Sequence, residues 1–112
     1  MRTQARLRRR IFVRRLAIAA CLVLPGTTFA GDLGREVFTT IAQPPCALCH
    51  TLEAAGATGT VGPSLDDLRP DRQRVITTVR DGIGVMPSFE GKLTDEQIEA
   101  VAEFVAGATG GR

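Results

Sequence analysis

The sequence contains no tryptophan and no tyrosine, and histidine and lysine occur once each, as His50 and Lys92. Methionine is nearly as rare, because Met86 is the only one besides Met1. With one histidine, two imidazoles of the same chain cannot bind one metal ion. With one lysine, the chain lacks the lysine-rich stripe that is typical of a nucleic-acid-binding surface. After position 30 phenylalanine supplies the only aromatic rings, so we expect a small core.

The N-terminus is strongly basic. Seven of the fourteen basic residues lie before position 16, and no acidic residue precedes Asp32. An apolar run over residues 16–24 follows, and small residues lead up to Ala30, which is the order found in signal peptides. The run is shorter than the roughly 20 apolar residues that span a bilayer. We predict a cleaved signal peptide over residues 1–30 and a periplasmic mature domain over residues 31–112 without a membrane span; an uncleaved N-terminal anchor is the alternative.

Removal of the predicted signal changes the size and the charge of the protein. The mature domain has 112 − 30 = 82 residues and a net charge of 7 − 12 = −5. A domain this acidic is not expected to bind nucleic acid. A domain this small has a marginal core and usually needs a disulfide, a metal or a cofactor to stabilise it.

The segment Cys46-Ala47-Leu48-Cys49-His50 has the C-x-x-C-H spacing of a c-type haem attachment motif. Two thiols about one helical turn apart can add to the vinyl groups of two adjacent pyrrole rings. A histidine directly after the second thiol is then placed to bind the iron as its proximal ligand. We therefore predict one covalent haem c, with thioether bonds from Cys46 and Cys49 and an iron bond from His50.

Three other interpretations of the motif are weaker. A structural zinc site needs four ligands, and the mature chain offers two cysteines and one histidine. A thioredoxin-like redox pair needs a βαβ framework, which the pattern does not indicate. A structural disulfide between Cys46 and Cys49 would close a very short loop, would stabilise little, and would leave His50 unexplained.

The sixth iron ligand is predicted from elimination. Met86 is the only methionine in the mature chain, and it lies in Gly82-Ile83-Gly84-Val85-Met86-Pro87. A thioether is the usual second axial ligand of an electron-transfer haem, and the glycines allow the backbone to approach the haem face. We predict Met86 as the distal iron ligand; the alternative is a methionine that fills the core.

The rest of the mature chain is predicted to be helical, with no strand. Apolar residues at helical spacing indicate a first helix over residues 33–42, capped by Asp32, and a second over residues 71–81 that begins near Pro70. The glycines and small residues of segment 54–65 indicate an irregular loop.

The last helix has the clearest start signal. Thr94 and Gln97 have the spacing of a capping box, and an apolar stripe follows at i, i+3, i+4 and i+7. We predict that this helix ends near Gly107 and that the residues after it form a frayed tail.

Taken together, these elements resemble a class I c-type cytochrome over the whole mature chain. The features that match are Gly34 and Phe38 in a leading helix, the motif at 46–50, Gly62-Pro63 with Leu65, a middle helix, Met86-Pro87 and a closing amphipathic helix.

The resemblance implies an all-α small cytochrome c fold, with helices wrapped around one covalently attached haem. It also implies that the first and last helices cross at Gly34, near Phe104, and that the Pro63 carbonyl accepts the ring proton of His50. The sequence departs from the family because Phe104 occupies a position where tyrosine is common, and because no tryptophan or tyrosine is present to bind the haem propionates. Three arginines (Arg69, Arg72 and Arg74) are candidates for that role; the alternative is a solvated helix surface.

The function implied is a monohaem carrier of single electrons, not an enzyme. It would exchange electrons with a dehydrogenase donor and an oxidase or reductase acceptor, with the haem edge exposed near residues 47, 48, 85, 87 and 88. An alternative is a dedicated electron-accepting subunit of a periplasmic dehydrogenase of the sulfite-oxidising type. A haem peroxidase or gas sensor is the least favoured, because the sole histidine is already used and little remains for acid–base chemistry.

Overall fold

Helices account for most of residues 29–111, the part of the chain that the computed structural model describes. The predicted all-α class is confirmed. One small antiparallel hairpin, formed by two strands of two residues each, was not predicted. The elements in chain order are α1 (Phe29–Glu36), a π-helical segment (Val37–Ile41), α2 (Cys46–Cys49), β1 (Thr51–Leu52), a 3₁₀ turn (Glu53–Ala55), β2 (Ala57–Thr58), α3 (Leu65–Leu68), α4 (Arg72–Asp81) and α5 (Asp95–Thr109).

The first helix begins earlier than predicted. Asp32 was expected to cap it, but α1 starts at Phe29, so Asp32 lies within the first turn. There its carboxylate interacts favourably with the positive end of the helix dipole instead of capping a free N–H group. The π-helical segment that follows ends with a hydrogen bond of 3.1 Å from the Ala42 N–H to the Val37 carbonyl. The predicted signal peptide lies outside the described residues, except for its last two residues.

The middle helix matches its predicted range with one correction at its start. Asp71 is the N-cap, and its Oδ1 accepts a hydrogen bond of 2.8 Å from the Arg74 N–H. Pro70 therefore precedes the cap and does not occupy the first turn as predicted. Gly82 ends the helix with a φ of 72°, a conformation that glycine adopts without strain.

The capping box of α5 is formed as predicted. The Gln97 N–H donates to Thr94 Oγ1 at 3.2 Å, and the Thr94 N–H donates to Gln97 Oε1 at 2.9 Å. Both hydrogen bonds use backbone donors that the first turn of a helix otherwise leaves unpaired.

The predicted frayed tail is wrong. Helix α5 continues to Thr109, which is buried, and Gly110 caps it with a φ of 68°. Arg69, which ends α3, donates a hydrogen bond of 2.9 Å from Nε to the Thr109 carbonyl. This contact between segments distant in sequence fixes the end of the helix.

Helices α1 and α5 cross closely at Gly34. A Cβ atom built on Gly34 would lie 2.6 Å from Phe104 Cβ and would overlap the Ala100 carbonyl oxygen. One turn along, the rings of Phe38 and Phe104 meet edge to face, with centroids 6.1 Å apart. Only glycine permits this approach, and the crossing closes one side of the core. The largest fully buried side chains are those of Phe38, Leu52, Ile98, Val37, Val101 and Val105.

Within residues 29–111, no helix combines the length and the hydrophobicity needed to cross a bilayer.

Gly34→Ala should lower the free energy of unfolding by about 1–3 kcal/mol, because the added methyl group overpacks the crossing. The matched control is Gly107→Ala on α5, where an added Cβ meets nothing within 4 Å. Glycine weakens a helix interior relative to alanine, so the control should gain about 0.5–1 kcal/mol. Urea unfolding of the haem-loaded proteins measures both. Equal unfolding midpoints for Gly34→Ala and the parent would show that the helices do not cross this closely.

Candidate functional site

A single cavity brings together the predicted site residues. Its volume is about 590 Å³, and Cys46, Cys49, His50 and Met86 all line it. This volume falls within the roughly 300–1,000 Å³ that is typical of cofactor sites. The four residues come from two segments of the chain that are distant in sequence, so the fold has assembled the site.

Helix α2 holds the two thiols on one face of a single turn. The His50 N–H donates to the Cys46 carbonyl at 3.0 Å, which closes the turn. Cys46 and Cys49 are three residues apart and are therefore neighbours on the helix surface. Behind the turn, a Cβ built on Gly59 would lie 2.6 Å from the Cys49 carbonyl carbon. The sequence analysis missed Gly59, because the segment was interpreted as an irregular loop.

The state of the cysteines argues against the competing interpretations of the motif. Neither Cys46 nor Cys49 forms a disulfide. Burial raises the pKa of the Cys46 thiol to about 11, with a further contribution from Cys49. The reactive cysteine of a redox-active C-x-x-C pair has a lowered pKa, and Cys46 shows the opposite shift. Within residues 29–111, no three His, Cys, Asp or Glu side chains form a group that could hold a metal ion.

The imidazole of His50 is held from two sides. Its Nδ1 lies 2.8 Å from the Pro63 carbonyl oxygen, which can only accept, so the proton is on Nδ1 and the lone pair is on Nε2. A Cβ built on Gly62 would lie 2.5 Å from Cε1 of the ring, so the ring rests directly on the Gly62 backbone. The Gly62 N–H in turn donates to the Cys49 carbonyl at 2.8 Å.

A tight turn presents Met86 to the cavity. The Met86 N–H donates to the Ile83 carbonyl at 2.9 Å, and the Ile83 N–H donates to the Met86 carbonyl at 3.1 Å. Gly84, within the turn, has a φ of 57°. A Cβ built on Gly82 would approach the Met86 carbonyl oxygen to 2.8 Å, so this glycine permits the close return of the chain.

The three candidate arginines occupy different positions. Arg72 pairs with Glu99 and lies 3.4 Å from Glu103, away from the cavity. Arg69 is bonded to the Thr109 carbonyl. Of the three, Arg74 alone lines the cavity.

Exposed apolar side chains surround part of the cavity. Val85 is 88% exposed, and Ile83, Val61 and Leu48 also remain largely exposed. Of these four, all but Leu48 line the cavity. The exposed haem edge was predicted near residues 47, 48, 85, 87 and 88, and the structure exposes positions 48 and 85 while positions 47, 87 and 88 are half-buried.

The residues that line the cavity fit a c-type haem. They provide two free thiols one helical turn apart, an imidazole whose Nε2 lone pair is free, one thioether sulfur and a wall that is otherwise mostly apolar. Thiols add to vinyl groups, and imidazole and thioether are axial ligands of haem iron.

Comparison with known proteins supports haem c as the cofactor. A family model described as "Cytochrome C oxidase, cbb3-type, subunit III" matches residues 30–105. Cytochrome c6 from Thermosynechococcus vestitus is 33% identical over 109 residues, which covers 88% of this chain and 89% of that protein. Cytochrome c-551 from Halorhodospira halochloris is 26% identical over 73 residues, covering 64% of this chain and 92% of that protein.

A solved structure is also similar. The crystal structure of the c-type cytochrome SorU from Sinorhizobium meliloti is 56% identical, with a TM-score of 0.70, and the match covers 72% of this chain and 92% of that chain. Fold, motif and relatives thus define a c-type cytochrome. The chain belongs to the cytochrome c family, because the cytochrome family model covers residues 30–105. It is a monohaem electron-carrying cytochrome that binds haem c covalently.

Gly62→Ala should displace the His50 ring, because the added methyl group would overlap it. We expect a loss of about 1–3 kcal/mol in the free energy of unfolding and a changed visible spectrum of the haem. Pro63→Ala is the control, because it keeps the carbonyl acceptor and should cost less than about 1 kcal/mol. Urea unfolding and absorption spectra of the two variants test this. An unchanged spectrum in Gly62→Ala would contradict the contact.

Proposed function

We propose that Cys46 and Cys49 form the two thioether bonds to the haem, that His50 binds the iron through Nε2, and that Met86 binds it through sulfur. The observation that carries this proposal is the single cavity that all four residues line. The hydrogen bond from His50 to Pro63 supports it further, because it leaves Nε2 without a proton.

With both axial positions filled, the protein carries electrons and does not bind a substrate at the iron. The haem supplies a one-electron ferric–ferrous couple. The role of the chain is to hold this couple with fixed ligands and to bury it, which raises its reduction potential. No carboxylate lines the cavity among the described residues, so acid–base catalysis there has little support.

We further propose that residues 1–30 are a signal peptide that is removed on export, and that the mature domain works in the periplasm. The support is the basic N-terminus followed by a short apolar run and small residues. Residues 1–28 lie outside the described part of the chain.

The partners we propose are other exported redox proteins, a dehydrogenase as donor and an oxidase or reductase as acceptor. The exposed apolar side chains of Val61, Ile83 and Val85 line the cavity, and Leu48, next to Cys49 in the sequence, is also exposed. Among the described residues, Arg74 is the only arginine, lysine or carboxylate residue that lines that cavity. Docking through this surface would therefore depend on apolar contact more than on ion pairs, with a modest salt dependence.

The same surface supports a second candidate, a dedicated electron-accepting subunit of a periplasmic dehydrogenase of the sulfite-oxidising type. Val85 is 88% exposed and Ile83 is 71% exposed, and such side chains suit a lasting apolar interface. Co-purification with a larger enzyme at stoichiometric ratio would favour the subunit. A monomer in cell extracts would favour the free carrier.

The test of the proposed function is the absorption spectrum of the exported protein, oxidised and reduced, before and after acid–acetone extraction. Haem bands should remain with the polypeptide, and the oxidised protein should show the weak far-red band of methionine–iron ligation. Met86→Ala should keep the haem, lose the far-red band and lower the reduction potential. The control is Val85→Ala, because Val85 lies in the same turn but its side chain is exposed. This variant should keep both the far-red band and the reduction potential of the parent.

Each outcome decides one part of the proposal. Haem that extracts into acid–acetone would rule out the thioether bonds. Covalent haem without the far-red band would rule out Met86 as ligand. It would also favour a peroxidase or gas sensor, which strong carbon monoxide binding by the reduced protein would then support.

Val85→Glu should slow electron self-exchange between oxidised and reduced copies by at least about tenfold, because two like charges would meet at the docking surface. Line broadening in NMR spectra of mixed oxidation states measures this rate. Gly107→Glu is the matched control: it adds the same charge at an exposed position on α5 that does not line the cavity. Equal slowing by both variants would mean that net charge, and not this surface, controls the encounter.

A further inference from the structure

The loop that carries Met86 leaves the end of α4 at Gly82 and returns to that helix end at Ser88. We call residues 82–90 the Met86 loop. A Cβ built on Gly82 would lie 2.7 Å from the backbone nitrogen of Ser88, so the two limbs of the loop are in contact. Only residues 83–87 lie between these two positions. A group that fixes the returning limb to α4 therefore also limits the movement of Met86.

The returning limb completes the hydrogen bonding at the end of α4. The last carbonyl groups of a helix have no partner within the helix. Here the Val79 carbonyl accepts a hydrogen bond from the Phe89 N–H at 2.9 Å. The Arg80 carbonyl accepts from the Ser88 hydroxyl at 2.6 Å and from the Glu90 N–H at 3.3 Å. The Met86 loop thus docks on the backbone of two consecutive residues of α4.

The side chain of Arg80 adds a second connection at the same place. Its Nε lies 3.2 Å from Glu90 Oε2, at the end of the Met86 loop. Its Nη2 lies 2.9 Å from Asp95 Oδ1, in the first turn of α5. The Arg80 side chain is 37% exposed, so each ion pair contributes little by itself. Both pairs use one guanidinium, however, and this group joins α4, the Met86 loop and α5.

The point that Arg80 holds is close to the cavity wall. Phe89 immediately precedes Glu90, is only 3% exposed, and lines the same cavity as Met86. The Phe89 carbonyl also accepts from the N–H groups of Lys92 and Leu93 at 2.9 and 3.0 Å. A displacement of the loop at Glu90 would therefore shift Phe89 and the wall beside Met86.

We propose that Arg80 is a positioning residue for the axial methionine: its ion pairs with Glu90 and Asp95 hold the Met86 loop closed and so protect the iron–sulfur bond from exchange with external ligands. This proposal rests on the proposed ligation of iron by Met86. Exchange breaks the bond between iron and the Met86 sulfur and forms a bond between iron and the incoming ligand, with no change in oxidation state. The Met86 loop must open for this exchange, and opening costs more free energy while Arg80 holds the returning limb.

The test is a titration of the oxidised protein with imidazole, at a pH at which free imidazole is uncharged. Imidazole is an axial ligand of haem iron, and loss of the far-red band reports the displacement of methionine. In Arg80→Gln the midpoint imidazole concentration should fall about three- to tenfold, which is the effect expected from two partly exposed ion pairs. Arg80→Lys keeps the charge but has no planar fork to reach both carboxylates, so its midpoint should lie between those of the parent and Arg80→Gln.

Arg72→Gln is the matched control. Arg72 lies on the same helix and is also paired with two carboxylates, but both of them, Glu99 and Glu103, belong to α5 and neither belongs to the Met86 loop. Both glutamine variants should lower the free energy of unfolding in urea by similar amounts. The imidazole midpoint of Arg72→Gln should equal that of the parent, because a purely structural contribution to the helix packing does not act on the Met86 loop.

A second variant tests the loop end of the connection. Glu90 is exposed, so Glu90→Gln is not expected to prevent folding. This variant should lower the imidazole midpoint about two- to fivefold, because one of the two pairs remains. Combined with Arg80→Gln, it should add little to the effect of Arg80→Gln alone, since the pair is already broken.

Two results would overturn this proposal: equal imidazole midpoints for Arg80→Gln and Arg72→Gln, or effects of Arg80→Gln and Glu90→Gln that are fully additive. In both cases the far-red band of the parent would be unaffected, so the proposed function would stand. Absence of that band from the parent would instead remove Met86 as the ligand, and the proposed function would fail before any variant is compared.

Discussion

The cavity wall and the hydrophobic core are built from the same side chains. Phe38, Val75, Val79, Val101 and Val105 are buried members of the core, and each of them also lines the cavity. In so small a domain, the rest of the core offers little further apolar area to compensate for poor packing of this wall. The haem is therefore a part of the core as well as a redox group, and folding and haem binding are linked.

The two proposed axial ligands, His50 and Met86, are supported in different ways. His50 belongs to a turn that is bonded to the following loop, through the Pro63 carbonyl and the Gly62 backbone. Met86 ends a turn that begins at Ile83, and reciprocal backbone hydrogen bonds between these two residues close the turn. Both supports consist of backbone groups, which have little freedom to rearrange. Such supports allow a redox centre to change oxidation state with small structural change.

The parts of the structure that depend on local sequence could be predicted. The C-x-x-C-H spacing is contained within five residues, and the capping box of α5 within four. Both patterns can therefore be recognised from the types of neighbouring residues alone, without knowledge of the tertiary structure. The start of α1 was wrong by four residues, because an aspartate such as Asp32 is as favourable within the first turn as at the cap.

The parts that depend on tertiary contacts could not be predicted. Strands of two residues leave no periodic pattern, so the β1–β2 hairpin has no sequence signal. Helix α5 continues past Gly107 because Arg69, far away in sequence, bonds to Thr109. Arg72 and Arg74 look equivalent in sequence, and only the rotation of α4 against α5 places one at Glu99 and the other at the cavity.

The crossing of α1 and α5 at Gly34 joins the two ends of the described chain, and the whole haem site lies in the segment between them. A contact between such distant segments forms late, because the entropy of closing the long loop must first be overcome. A chain that emerges from its N-terminus, from a ribosome or through a membrane pore, cannot complete the domain until α5 has emerged. Until then, the thiols of Cys46 and Cys49 would remain accessible on an open chain, and the proposed covalent attachment would have to occur in this interval.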